Sequence, residues 1–294
     1  MLFGAHISVS GGYDKAVDYA FEVGAECIQI FAKSPRQWRG PAIDATKAEH
    51  FRALCAQRGL GPVFTHTAYL INPATSDPVL REKSIVALAD ELVRGALLGA
   101  AGVVTHVGSD PDGDPALAAR RVADAVVCAF DLAGPVAQST RLLLENTAGA
   151  GRTFGSTFEE LGAVIDATGL PADRLGVCLD TCHAFAFGMP LDTQKGWRDV
   201  VAGIEECCGV SRLGLIHAND CMFERGSKRD RHAWIGDGLI GYAGFEAMVC
   251  VPELDGVCAC VEMPGEVPVK DAENIARLKK LRSVCAEAQS KPTV

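Results

Sequence analysis

The chain lacks any apolar run near the about 18 consecutive residues that a membrane helix needs, so no membrane span is expected. Its opening residues, Met1 to Gly12, have no basic segment followed by a long apolar one; no secretory signal is read there, and a cytoplasmic location is expected. No two cysteines have C-x-x-C spacing, which removes zinc-finger and thioredoxin-like readings. A phosphate-binding P-loop, a heptad run and an internal repeat are also missing. Positive charge is scarce: 28 Lys and Arg against 37 Asp and Glu leave a net charge of −9. That balance argues against a protein that coats nucleic acid by charge alone, since phosphate binding wants a basic surface.

What is present is an ordinary globular composition. Of the 294 residues, 48% are hydrophobic and 22% charged, enough for a large core. Twelve cysteines are well short of a disulfide scaffold. Half lie in apolar runs (Cys27, Cys128, Cys178, Cys250, Cys258, Cys260) and are expected to be reduced core residues, since a free thiol behaves as a small hydrophobe. Two loops are locally basic, Lys33 to Arg39 and Arg225 to His232, so the global acidity leaves room for a localised nucleic-acid contact.

Short β-rich runs alternate with longer helical patterns. Strands are expected near 2–7, 26–31, 61–66, 102–107, 141–145, 174–180, 213–217 and 257–262, with helical stretches such as 44–58, 78–99, 114–133, 157–168 and 271–287. The stretch 78–99 opens on Pro78 and reaches Gly99, as a helix should. Eight strands with intervening helices predict an α/β protein, a TIM (β/α)8 barrel. An open doubly wound sheet is the competitor, but it gathers its ligand at one switch point. One barrel domain over 1–288 is expected, followed by a short C-terminal tail at 289–294.

The apolar runs end on chemistry. PVFTH stops at His66, VVTH at His106, LLLE at Glu145, GVCLD at Asp180, LGLIH at His217 and CACVE at Glu262. His183 follows Asp180 in the turn, and Asp230 and His232 come in the loop after His217. Because strand side chains alternate faces, Phe64 with His66, Val104 with His106, Leu143 with Glu145 and Cys178 with Asp180 should point the same way, apolar below and ligand at the rim. A lone histidine at such a place is more often a hydrogen-bonded structural residue. Several ionised acids together in a barrel mouth, however, need a cation among them. Nine nitrogen or oxygen donors exceed the three protein ligands and one water of a catalytic zinc. Three ions sharing one carboxylate account for all nine, and Cys182 and Cys221 are not required. Close-set divalent ions activate a water and clamp the oxygens of a phosphate under in-line attack, so phosphodiester hydrolysis suits the constellation best.

Longer motifs carry a resemblance. LENTAG (144–149), CLDTCHAFAFG (178–188) and HANDCMFERGSKRDRHAWIGDGLIG (217–241), with GAHIS near the start, RQW at 36–38 and HTAYLIN at 66–72, closely resemble the endonuclease IV family of apurinic/apyrimidinic endonucleases. The likeness covers roughly residues 3–264. It implies a TIM barrel with three Zn2+ ions (Mn2+ also suits the carboxylate-rich positions), acting in base excision repair on double-stranded DNA that contains abasic sites. By that resemblance, His66, His106 and Glu145 hold one ion. Glu145 bridges to a second held by Asp180, His217 and Glu262, while His183, Asp230 and His232 hold the third. A metal-bridging hydroxide would cut 5′ to the lesion, leaving a 3′-hydroxyl and a 5′-deoxyribose phosphate; removal of 3′-blocking groups and a monomeric state are implied as well. Arg36, Tyr69 and Leu70 match positions that insert into the DNA, a use that suits an Arg beside an aromatic and an exposed Tyr-Leu pair. Read alone, Tyr69 and Leu70 would be core residues. The chain departs from the family's usual wording at Val107, Cys221 and Met263, none of them a ligand. His50 is given no role, and His6 is expected beside the ligands rather than among them.

Two other classes compete. A sugar isomerase or epimerase of the xylose-isomerase-like barrels would share Glu145, Asp180, His217 and Glu262, but would leave His66, His106, His183, Asp230 and His232 without a task. A non-catalytic DNA-binding scaffold would predict a decayed ligand set, and all nine ligands are present.

Overall fold

A computed structural model describes residues 1–263 and 267–290. The chain runs β1 (Leu2–Ile7), α1 (Tyr13–Glu22), β2 (Cys27–Phe31), α2 (Ala45–Gln57), β3 (Val63–His66), α3 (Pro78–Leu98), β4 (Gly102–His106) and α4 (Pro115–Ala133). It continues through β5 (Leu142–Glu145), α5 (Phe158–Thr168), β6 (Leu175–Asp180), α6 (Thr181–Phe187), α7 (Gln194–Cys207) and β7 (Leu213–His217). A small hairpin of β8 (Asp220–Cys221) and β9 (His232–Ala233) precedes α8 (Gly241–Val249), β10 (Cys258–Val261) and α9 (Pro268–Ser290). All barrel strands pair in parallel and close in the order β1-β10-β7-β6-β5-β4-β3-β2, the TIM barrel expected from the eight apolar runs.

The helices start where the sequence places a cap. Asp44, Asp77, Asp114 and Thr157 each accept backbone N–H bonds from the first turns of α2, α3, α4 and α5, and Pro78 and Pro115 occupy first-turn positions where no N–H is needed. Helix α9 carries the chain through residues 289 and 290, where the sequence suggests a tail; residues 291–294 lie outside the described residues. No helix among the described residues is long and apolar enough to cross a membrane.

Alternation sorts the strand residues into two cores. One lies between the strands and the helical ring. The other fills the barrel interior with Cys27, Phe64, Val104, Leu143, Cys178, Leu215, Cys258 and Cys260. One pleat above these, on the same inward faces, stand Gln29, His66, His106, Glu145, Asp180, His217 and Glu262. The apolar layer therefore closes the floor beneath the polar one.

Two cysteine expectations need correction. Cys250 is joined to Cys285 of α9 in a disulfide with a Cα–Cα distance of 5.7 Å, and Cys128 is exposed on α4. Cys250, at the end of α8, is half-buried against the core between strands and helices, so what differs from the expectation is its oxidation, not its apolar surroundings. Cys128 sits on the outward face of a helix whose inner face takes Val122, Val126 and Ala129. Cys27, Cys178, Cys258 and Cys260 are buried and free, as expected.

Candidate metal centre

All nine ligand-type side chains converge at the downstream ends of the barrel strands. They form three groups, His66 with His106 and Glu145; Glu145 with Asp180, His217 and Glu262; and His183 with Asp230 and His232. Within each group, one donor atom per residue lies within 4.8 Å of every other. Cys182, which the sequence places near the ligands without requiring it, falls within the same distance of Asp180 and His232.

Glu145 is the hub. Its Oε2 lies 3.1 Å from His66 Nε2 and 3.0 Å from His106 Nε2, while its Oε1 lies 3.2 Å from His217 Nδ1 and 3.4 Å from His183 Nδ1. The side chain is fully enclosed. Burial pushes the carboxyl pKa up, but the His106 and His217 charges outweigh burial and hold it well below the carboxylate range. His183 and His217 are in turn held well above the usual imidazole value: burial opposes the shift, and the facing carboxylates prevail. The same balance raises His66, lifts His232 to about 9, and depresses Asp230 and Glu262.

Four of the five ligand-type histidines have one ring nitrogen held by a hydrogen bond to a neighbouring oxygen. His66 Nδ1 donates to Thr67 O at 2.8 Å, His183 Nδ1 to Asn146 O at 2.9 Å and His232 Nδ1 to Glu262 O at 2.8 Å. His217 is reversed: its Nε2 donates to Gln29 Oε1 at 2.9 Å. Without an ion a proton on these rings satisfies the facing carboxylates; in the neutral form that metal ligation requires, the nitrogen turned toward them is free to bind a cation instead. His232 Nε2 is buried with no hydrogen-bond partner, 3.3 Å from Asp230 Oδ1 and 3.6 Å from Asp180 Oδ2. The donor set and its orientation fit divalent ions bound by imidazole and carboxylate.

A second set of side chains, given no role in the sequence reading, aims the first. Gln29 donates to Glu262 Oε1 at 2.6 Å while receiving His217. His6 lies beside it, its Nδ1 2.8 Å from Gln29 Nε2. Asn219 donates to Asp180 Oδ2 at 2.7 Å and accepts the Glu262 N–H at 2.8 Å. Asn146 accepts the Asp180 N–H at 2.7 Å, and Asp180 also caps α6 by accepting from the His183 N–H at 2.7 Å. His6 thus sits beside the ligands, as expected, whereas His50 lies on exposed α2 facing Asp14.

The loop that delivers Asp230 and His232 is organised by one carboxylate. Asp220 is fully buried; its Oδ1 accepts the N–H groups of Cys221 and Ile240, and its Oδ2 those of Gly236 and Gly238. A side chain at Gly238 would meet Asp220 Oδ1 at 2.5 Å, so only glycine passes there. The segment Gly236–Gly241 has G-x-G-x-x-G spacing, yet it wraps an internal acid, not a nucleotide. Replacing Asp220 with Asn turns an NH2 toward backbone N–H groups. The affinity of the His183, Asp230 and His232 group for an added divalent ion should fall roughly 10- to 100-fold, with binding at the strand-end donors unaffected. A metal titration of purified Asp220→Asn protein that matched wild type would remove this role.

Arg36 is exposed on the loop after β2, and Tyr69 (61% exposed) and Leu70 (36%) stand on the loop after β3. Tyr69 stacks on His106 with ring centroids 6.0 Å apart. Their exposure agrees with the exposed placement that the resemblance implies and not with the core placement that the two residues suggest when read alone. Both loops border a cavity of about 1170 Å³ that includes His66, His106, Glu145, Asp230, Met263, Tyr69 and Arg36 in its walls. Leu70 is not among the lining residues. Lys33, counted from sequence with the basic loop, is instead buried against Asp90 and Glu91.

Residues 17–282 match the xylose isomerase-like TIM barrel family. A protein of Methanoculleus marisnigri named probable endonuclease 4 is 40% identical over 96% of this chain and 99% of its own length. The crystal structure of endonuclease IV from Thermus thermophilus superposes with a TM-score of 0.85 at 36% identity, covering 97% of this chain and 100% of that one. A D-tagatose 3-epimerase-like protein has a TM-score of 0.75 at 17% identity, covering 99% of this chain and 100% of that one, a likeness of fold alone. With near-complete coverage by relatives at this identity, the chain belongs to the endonuclease IV family of xylose isomerase-like TIM barrels.

Proposed function

We propose that this endonuclease hydrolyses the phosphodiester bond 5′ to abasic sites in duplex DNA, using three divalent ions, Zn2+ by preference. The observation that carries the reading is the sharing of Glu145 between two donor groups, with a third group a few ångströms away. Five of the nine donors, His66, His106, His183, Asp230 and His232, lie outside the Glu145, Asp180, His217 and Glu262 quartet, and a one-ion sugar epimerase gives them nothing to do. Each group would hold one ion, Glu145 serving two. Bound ions supply positive charge that lowers the pKa of water toward about 7 and neutralises phosphate oxygens in the transition state.

The chain's own side chains position and exclude. Gln29, Asn146 and Asn219 fix ring and carboxylate directions before substrate arrives, so little reorganisation is left for the reaction. The apolar floor of Phe64, Val104, Leu143 and Leu215 keeps bulk water from entering below. On the rim, Tyr69 and Leu70 offer exposed apolar surface that can fill the gap left by a missing base, and unpairing costs least at such a gap. The loop 225–231 that brings Asp230 to the cavity wall also carries exposed basic residues on an otherwise acidic protein, which favours contact with one DNA segment over coating.

A duplex carrying one abasic site should be nicked by metal-loaded protein and not after chelation. Failure of the loaded protein to nick, with turnover of a ketose instead, would favour the epimerase reading. Arg36→Ala and Leu70→Ala should each raise the half-saturating duplex concentration about 10-fold, about 1.4 kcal/mol, with metal content unchanged. Unaltered affinity would strike either residue from the DNA contacts. The single-domain extent of 1–288, the removal of 3′-blocking groups and the monomeric state belong to the same proposal; the last two are tested by 3′-phosphoglycolate release and by light scattering.

A further inference from the structure

The two rim loops that carry Arg36 and Tyr69–Leu70 are fastened to α3 through a buried ionic group. Lys33 leaves the end of β2 with its side chain only 1% exposed, and its Nζ lies 3.1 Å from Glu91 Oε1 and 2.9 Å from Asp90 Oδ2. Glu91 Oε1 also accepts the backbone N–H of Ala68 at 3.2 Å, immediately before Tyr69. One carboxylate oxygen therefore receives a cation from the first loop and an amide from the second. Arg94, one turn further along α3, holds Asp90 at 2.8 Å and the carbonyl of Gly40 at 3.2 Å, the far end of the Arg36 loop. Directly between the loops, the Tyr69 N–H donates to Pro35 O at 3.2 Å.

Stability is a poor reason for such a pair. Desolvating a lysine and a glutamate offsets most of their attraction, and an apolar pair of the same volume commonly serves a core as well or better. Glu91 Oε2 is even left buried with no hydrogen-bond partner. Burial pushes the Glu91 carboxyl pKa up and the Lys33 charge draws it back. What an ion pair supplies that an apolar pair cannot is a fixed direction and length. Here that fixes Ala68 and Lys33 to a single point, and so fixes the spacing of Arg36 from Tyr69 and Leu70.

We propose that Lys33 and Glu91 are positioning residues for lesion recognition, acting through the two loops and touching neither the DNA nor the ions. The inference rests on the function proposed above. Its test uses full-length, metal-loaded protein as Glu91→Gln, Lys33→Met and the double variant, whose neutral side chains of similar size guard against a failure of the single variants to fold. Amide hydrogen exchange should quicken in both 34–40 and 68–71. The KM for an abasic duplex should rise roughly 10-fold while saturating kcat stays within about twofold and metal content is unchanged. The double variant should be no worse than the poorer single one, the mark of a coupled pair.

Unchanged KM in a folded variant overturns the proposal. So does a parallel fall of kcat and metal content, the sign of general damage, and so does faster exchange in one loop only. Inability of wild-type protein to nick would sink the proposed function instead, whereas the exchange measurement still decides whether Lys33 and Glu91 couple the two loops.

Discussion

Glu145→Gln should reduce nicking at an abasic site by roughly 10³-fold or more, about 4 kcal/mol at the barrier, while weakening lesion binding less than about tenfold. Both carboxylate oxygens are committed, one between His66 and His106, the other between His217 and His183. An amide keeps the shape but replaces one oxygen with an NH2, which cannot bind a cation, and it removes a negative charge from the centre shared by two groups. In the proposed function lesion binding draws on Arg36, Tyr69 and Leu70 of the rim loops, not on Glu145 itself. Single-turnover nicking, duplex affinity and metal content measured on one preparation separate these effects. Near-normal turnover would show that Glu145 does not bridge.

Removing the ions should reverse the way stability depends on pH. In metal-free protein, His66, His183 and His217 are raised above an unfolded value of about 6.5, and His232 stands at about 9. A raised histidine stabilises the fold fully below its unfolded pKa and loses that contribution as pH climbs through its folded one. Glu145, Asp230 and Glu262 are depressed; their contribution is present above about pH 4.5 and is lost as pH falls. Metal-free protein should therefore be most stable between about pH 4.5 and 6.5 and weaken toward pH 9. Ion binding demands neutral imidazoles, so loaded protein should gain stability as pH rises from 5 to 7 and release protons on loading. An ion at about 1,000 times its Kd adds about 4 kcal/mol, so the gap between the two melting curves at pH 8 should be on the order of 5 °C or more. Parallel curves in the presence and absence of chelator would refute the linkage.

The barrel and the six donors that end its apolar runs were readable because each is announced locally, and His183, Asp230 and His232 because they follow such an end in a turn or a loop. A strand of four to six residues ending on His, Asp or Glu states its element, its inward face and its chemistry within one short stretch. Gln29, Asn146, Asn219 and Asp220 were not readable as supports, although three lie inside recognised motifs. The first three act through hydrogen bonds to residues 34 to 233 positions away, and Asp220 through amides of a loop that closes only in three dimensions. Lys33 looked like surface charge because sequence shows its basic neighbours and hides Glu91, which reaches it from the inner face of α3. The Cys250–Cys285 link spans 35 residues with no motif to announce it. Local pattern fixes element and donor, whereas second partners are matters of topology.

The fold of the segment around Asp220 divides the mouth of the barrel into two kinds of part. The quartet of Glu145, Asp180, His217 and Glu262 is carried by strand ends and cannot move without the sheet. Asp230 and His232 arrive on an insertion gathered on one internal acid, which rests against the backbone carbonyls of Phe185, Ala186 and Glu262. Carbonyl supports of this kind make few demands on side-chain identity. A change confined to this insertion acts first on the His183, Asp230 and His232 group and reaches the quartet only where His232 faces Asp180. If each group holds one ion as proposed, two of the ions depend on the sheet and the third on a surface loop, so that one site can change without the core changing.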